Sequence, residues 1–215
     1  MTDSTQAPDA SSERRARKAT RTARRRQLIE ATIDTLATRG YAETTLADVA
    51  SSAGLSRGIV NFHFESKDKL LVATLQHMAE EYAAHWRAAL DKAGDDPARQ
   101  LLALVRADFD PAICNRRKLA AWCAFWGEAR SRPTYLALCG SRDEAYQALL
   151  EQLCKQLTQA GGYSHDPKSV ALALDALLEG LWLRLMMTNT KISRQTACQS
   201  AIAFLSASFP NHFAS

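Results

Sequence analysis

Residues 45–70, TLADVASSAGLSRGIVNFHFESKDKL, constrain this chain more than any other stretch. They read as two short helices on either side of a glycine, followed by the start of a third. Thr45 can cap the first helix, and Asp48 at its third position approximates a capping box. Leu46, Val49 and Ala50 supply that helix's inner face. Gly54 then permits a sharp turn, because a β-carbon opposes positive φ. Ser56 caps a very short second helix running to about Phe62. Ser66 caps the third, which opens Lys67-Asp68-Lys69. Ala50 and Ala53 leave room for close crossing, and Ile59 and Val60 can anchor the second helix on a core.

This layout suits the DNA major groove, which is wide enough to admit one helix. Ser56, Arg57, Gly58, Asn61, Phe62 and His63 fall at the start or nearer the outside of the second helix. Arg57 can make paired hydrogen bonds to guanine, and Asn61 to adenine. Gly58 lets the backbone approach closely. Thr45 and Lys67 lie at helix starts, where a hydroxyl, free N–H groups and positive charge can hold phosphates. The same spacing also describes a plain helical hairpin with no role in DNA binding.

Elsewhere the pattern is helical throughout. Leu28, Ile29, Thr32, Ile33 and Leu36 recur at helical spacing, with Gly40 as a stop. The helix after Ser66 continues to about Lys92. Asp96-Pro97 and Asp166-Pro167 each place a capping residue before a first-turn proline. Pro111 can start a short helix, and residues 116–130 follow. Another helix runs from Pro133 to the stop at Gly161-Gly162, one from Pro167 to about Met187, and a last from Ser193 to Pro210. No β-alternation bounded by hairpin turns occurs. The expected fold is all-α, with nine or ten helices. It divides into a disordered basic arm (1–22), a three-helix amino-terminal unit (23–70) and a larger helical unit (71–215). The helix after Ser66 ties the last two together.

A net charge of +4 is modest, but its distribution is not. Arg14, Arg15, Arg17, Lys18, Arg21, Arg24, Arg25 and Arg26 crowd the amino end. Such a run binds polyanions or is simply a solvated tail. A membrane-binding tail would interleave large apolar residues with the charges, and residues 13–26 contain none. The five cysteines form no C-x-x-C pair and the histidines no H-x-x-x-H spacing, which argues against a disulfide framework or a zinc site. No cofactor motif is present. No nucleophile–base spacing or glycine-rich phosphate loop supports catalysis. With no apolar leader and no run of about 18 apolar residues, a reducing cytoplasm is the simplest location.

The larger unit carries aromatic and acidic residues at helical spacing. Trp122 and Trp126 share a face, with Phe125 adjoining. Asp175, Glu179 and Trp182 share a face of another helix, and Phe109-Asp110 offers a further aromatic–acid pair. Indole rings beside a buried carboxylate suit a quaternary ammonium. Tryptophans so spaced also occur as ordinary core, and the carboxylates could pair with Arg184 instead. The helices after Asp166 and Ser193 are rich in Ala and Leu. They could be buried within one chain or form a four-helix interface between two copies.

The segment from Thr45 to Leu70 closely resembles the DNA-binding domain of the TetR family of bacterial regulators. Thr45, Arg57, Gly58, His63 and Lys67 match positions that the family associates with DNA or backbone contact. The family usually has tyrosine where Asn61 stands, so that tyrosine's contacts are not carried over. RRRQLIEAT (24–32), SRGIVN (56–61), Phe109-Asp110, AWCAFW (121–126) and LLEGLWLR (177–184) look like the BetI type within that family. That type comprises choline-responsive repressors of glycine betaine synthesis. The resemblance implies a homodimer that binds palindromic double-stranded DNA, with a small-molecule effector in the larger domain. Arg24, Arg25 and Arg26 would then lie beside the DNA. The alternatives are a repressor of another small-molecule pathway, or a helical enzyme or carrier using the same pocket.

Overall fold

The computed structural model describes residues 10–187 and 192–213, with side chains for all of these except 10–17 and 139–143. Among them are nine helices and no strand: α1 (Ala10–Glu43), α2 (Leu46–Ser52), α3 (Arg57–His63), α4 (Lys67–Ala93), α5 (Pro97–Asp108), α6 (Arg116–Ala129), α7 (Pro133–Gly161), α8 (Pro167–Met187) and α9 (Arg194–Ser208).

Local chemistry sets most of the boundaries. Thr45 and Asp48 close a reciprocal capping box, each bonding the other's backbone N–H. Ser56, Ser66, Asp96, Asn115 and Ser193 each accept a hydrogen bond from the third backbone N–H of the helix they cap. Gly54 adopts φ +63°, the left-handed turn that lets α3 cross α2. Gly40, at φ +77°, kinks α1.

Two expectations need correction. Residues 10–22 of the supposedly disordered arm are helical and continue α1 backward. The buried turns around Leu28, Ile29, Ile33 and Leu36 supply the nucleus. Adding Ala and Arg residues to a nucleated helix then costs little. Residues 1–9 of that arm, and the side chains of Arg14, Arg15 and Arg17, lie outside the described residues. Pro111 does not open a helix. Residues 110–114 form a tight turn in which the Ile113 and Cys114 N–H groups donate to the Asp110 carbonyl. Asn115 must be extended to cap α6, which leaves no length for a helical turn.

α4 runs through the core, packing on α1, α5 and α7. Its stripe of Leu71, Leu75, Met78, Tyr82 and Trp86 is buried along the whole length. α6 packs on α1, α7 and α8, so its apolar residues are covered on several sides. Cys114 and Cys154 are core residues, and burial pushes both thiols up to about 12, which keeps them protonated and inert. Among the described residues no helix is long and apolar enough to cross a membrane.

Candidate functional site

Two surfaces stand out, one on the amino-terminal helices and one inside the larger bundle. On α3, Val60 is buried and Ile59 half-buried, which orients the short helix. Arg57, Gly58, Asn61 and Phe62 face solvent, and Phe62 is 72% exposed despite its size. His63 sits edge-on to Phe62 at 5.2 Å. Burial, then the charges of Arg21, Arg25 and Arg24, lowers the His63 pKa. Its ring is therefore neutral at pH 7, a hydrogen-bonding group rather than a cation.

The basic stretch of α1 lies against this face. The Arg21 guanidinium is 5.8 Å from the Phe62 ring and that of Arg25 is 4.5 Å from the Phe64 ring. Arg24 donates to Gln27 at 2.7 Å, and Gln27 donates to the Ala53 carbonyl at 2.8 Å, pinning α1 to the α2–α3 turn. Arg26 is exposed. Two of the expected phosphate-binding groups are already engaged. The Thr45 hydroxyl donates to Asp48 at 2.6 Å, and the Lys67 amine folds back to the Tyr41 carbonyl at 3.4 Å. Lys67 has to leave Tyr41 to reach a phosphate.

The second surface is a narrow cavity of about 20 Å³, open to solvent beside the exposed Glu179. Its walls come from five helices: Tyr82 (α4), Asp108 (α5), Trp126 (α6), Tyr146 (α7), and Asp175, Leu178, Glu179 and Trp182 (α8). The two helix faces singled out by spacing thus meet here, through Trp126 on one side and Asp175, Glu179 and Trp182 on the other. Trp122 lies behind, stacked on Trp126 at 6.1 Å. Tyr82 packs edge-on to Trp182 at 5.7 Å and to Tyr146 at 5.9 Å.

Asp108 organises the walls. It is 2% exposed and its carboxylate accepts from the Tyr82 hydroxyl at 2.6 Å and the Tyr146 hydroxyl at 3.0 Å. Its backbone carbonyl accepts from the Trp182 indole N–H at 3.0 Å. Burial, then the Asp108 charge, pushes the Tyr146 pKa well above the usual phenol value, so the ring stays a neutral donor. Among the described lining residues none is basic. Electron-rich rings with carboxylates between them favour an organic cation.

Three expected members of this set are elsewhere. Phe109 ends α5 and faces a groove shared with Cys114, Leu119 and Leu185. Asp110 turns outward, its carboxylate accepting the Ala112 N–H at 2.8 Å. Phe125 precedes Trp126 by one residue, about 100° round the helix. It packs on Tyr135 at 5.4 Å and Tyr41 at 6.4 Å, toward α1 and α7. Tyr82, Asp108 and Tyr146 escaped the sequence reading. The available signal was Asp108 itself, a carboxylate continuing the apolar stripe of Leu101, Leu104 and Val105.

Comparison with known proteins finds relatives of both parts of the chain. The family model described as "Bacterial regulatory proteins, tetR family" matches residues 28–74. The one described as "BetI-type transcriptional repressor, C-terminal" matches residues 97–210. The "HTH-type transcriptional regulator BetI" of Stenotrophomonas maltophilia is 34% identical over 185 residues, covering 85% of this chain and 91% of that protein. The protein of the same name from Paraburkholderia xenovorans is 35% identical over 182 residues, covering 83% and 89%. Among solved structures, a putative transcriptional regulator from Pseudomonas aeruginosa PAO1 superposes with TM-score 0.75 at 27% identity, covering 89% of this chain and 93% of that one. One from Saccharomonospora viridis, in complex with choline, has TM-score 0.76 at 23% identity, covering 86% and 96%.

Proposed function

Because the chain belongs to the TetR family of bacterial regulators, with a BetI-type carboxy-terminal domain, we propose that it is a dimeric cytoplasmic repressor of choline and glycine betaine genes whose affinity for a palindromic operator responds to a small quaternary ammonium, most simply choline. The family's role in transcription displaces the enzyme and carrier alternatives. The observation that carries the effector reading is the cavity of rings and carboxylates with no basic residue among its described lining. The BetI name of the relatives and the choline bound to the S. viridis protein support it.

At about 20 Å³ the cavity has room for about one water. A trimethylammonium group enters only if the walls part. The narrow and widened arrangements are then the two states between which a ligand can discriminate. α4 supplies Tyr82 to the cavity and begins at Ser66 beside α3, so it is one route by which that opening reaches the DNA-facing helices. For the dimer, the outward face of α8 carries Leu172 at 57%, Leu183 at 43% and Met187 at 69% exposure. Exposed Ala173, Ala176 and Gly180 lie between them, and Ala203 and Ala207 on α9. A second copy covers such a face by closing a four-helix interface.

Anisotropy of a labelled operator duplex tests the reading. Two protomers should bind cooperatively to half-sites about one duplex turn, or a multiple of it, apart. Millimolar choline should shift the apparent Kd by about tenfold or more. A Kd that choline leaves unmoved, but an uncharged inducer moves, would keep the regulator and discard the quaternary ammonium.

The same assay addresses the basic part of α1. Residues 18–22 are exposed, and the Arg21 contact is to the still-exposed ring of Phe62, so deleting residues 1–22 should leave the thermal midpoint in place. Operator affinity should fall more at low salt than at high salt. The slope of log K against log salt should flatten by about 0.9 for each phosphate that the shortened protein no longer neutralises. An unchanged slope would make this segment a bystander.

A further inference from the structure

We propose that Arg117 is the positioning residue that couples the cavity to the DNA-facing helices, with α6 as the moving element; this rests on the effector reading above and specifies how that site is regulated. α6 carries two kinds of contact on one rigid rod. Trp126 forms a wall of the cavity and Trp122 backs it. Nine residues earlier, about 13 Å along the axis, Arg117 grips α1. Its Nη2 donates to the Glu30 carboxylate at 2.5 Å and to the Glu30 carbonyl at 3.0 Å, and its Nε donates to the Asp34 carboxylate.

This grip combines charge with fixed direction. A planar guanidinium holding two carboxylates and a carbonyl of one helix fixes orientation as well as distance. Burial pushes the Glu30 carboxyl up, but the Arg117 hydrogen bond and the charges of Arg117, His77 and Lys118 outweigh it and hold the group ionised. His77 lies 3.5 Å from the other Glu30 oxygen, close enough for attraction but without a formed hydrogen bond. Lys118, the next residue, reaches the opposite way, to Glu81 of α4 at 2.6 Å. The start of α6 is therefore clamped between α1 and α4.

From Glu30 the path continues along one helix. α1 carries Arg25 and Arg21 five and nine residues earlier, about one and a half and two and a half turns, and these rest on Phe64 and Phe62 beside and on α3. At about 20 Å³ the cavity is too narrow for a trimethylammonium group until its walls part, and Trp126 moves with α6. Displacement of α6 then pulls Glu30 and Asp34 through Arg117 and tilts α1 against α3. The packing of Phe125 on Tyr41 and Tyr135 makes a second contact on the same side. α4 remains a parallel route. Substituting Arg117 removes its bonds to α1 without touching the cavity, α4 or the DNA face, so the two routes separate experimentally. Glu30 also faces His77 of α4, so D34N alone, which has no such contact, serves as the check on E30Q/D34N.

The experiment compares the native protein with R117M, R117K, E30Q/D34N and its check D34N. It measures choline affinity by calorimetry, operator Kd with and without saturating choline, and tryptophan fluorescence during operator titration. All four tryptophans, Trp86, Trp122, Trp126 and Trp182, lie in α4, α6 and α8, so fluorescence reports on the cavity region and not on residues 1–70. R117M should bind choline and free operator within about threefold of the native protein. Its choline-induced shift in operator Kd should fall from about tenfold or more to under about threefold. E30Q/D34N, which attacks the same bonds from α1, should match it, and R117K should recover part of the shift. By reciprocity the operator-induced fluorescence change should shrink in the same order.

A full choline shift in R117M overturns the proposal and leaves α4 as the route. So does a merely structural outcome, in which R117M loses thermal stability and operator affinity but keeps the shift. If R117M does not fold, E30Q/D34N decides by the same criteria. If choline fails to bind the native protein, the effector reading fails and fluorescence alone decides the coupling. An operator-induced signal lost in the variants upholds it. A signal equal in all proteins, or absent from the native one, overturns it.

Discussion

Trp126→Ala should weaken choline binding by about 30-fold or more while leaving affinity for free operator within about twofold. A desolvated cation–π contact is worth roughly 2 kcal/mol, and each 1.4 kcal/mol is about tenfold in affinity. Trp126 is the informative position because it is half-buried at the cavity wall. Trp182 is a poorer choice. It is 5% exposed and donates to the Asp108 carbonyl, so its truncation costs about 3–5 kcal/mol of stability on packing grounds. The companion measurement replaces the ligand instead of the protein. The uncharged carbon isostere of choline, with a quaternary carbon for the nitrogen, has nearly the same shape. It should bind about 30-fold more weakly, because it keeps the apolar contact and loses the charge. Equal affinities for the two, or no heat from either at millimolar concentration, would remove the cation cage.

What the sequence made legible follows from the range of the interaction concerned. Thr45 with Asp48, Ser56, Ser66, Asp96-Pro97 and Ser193 each act on backbone groups within three residues, so their caps could be read directly. Gly54 is equally local. The reach of α1 was not legible, because composition alone made residues 10–22 look unable to bury anything. Helix propagation needs no burial once Leu28 to Leu36 have offset the cost of nucleation. The cavity was half legible. Spacing put Asp175, Glu179 and Trp182 on one face, but α6 is covered by α1, α7 and α8, so its period could not tell Trp126, facing the cavity, from Phe125, facing Tyr41. Tyr82, Asp108 and Tyr146 come from three other helices, and only the tertiary fold brings their hydroxyls to one carboxylate.

Arg57→Ala and Asn61→Ala should each cost about 1–3 kcal/mol of operator binding, about five- to 150-fold, and each should relax preference at particular base pairs. The two residues are four apart on α3 and both face solvent, so they present one edge to a groove. Val60, which is buried, keeps that edge turned outward. Both positions are on the surface, where a substitution to alanine disturbs the fold little, and alanine suits a helix at least as well as asparagine. A fall in affinity can therefore be read as missing hydrogen bonds to the bases. Lys67→Ala is the contrasting control. Its amine rests on the Tyr41 carbonyl and lies 5.5 Å from that ring, so the substitution removes an interaction within the fold as well as a charge. It should weaken all duplexes alike, whatever their sequence, and lower the salt dependence. A base-specific loss at positions 57 and 61 with a uniform loss at 67 separates the groove-reading residues from the phosphate-facing helix start. Native affinity in both Arg57→Ala and Asn61→Ala, at an unchanged thermal midpoint, would place the groove-reading face on another part of the molecule.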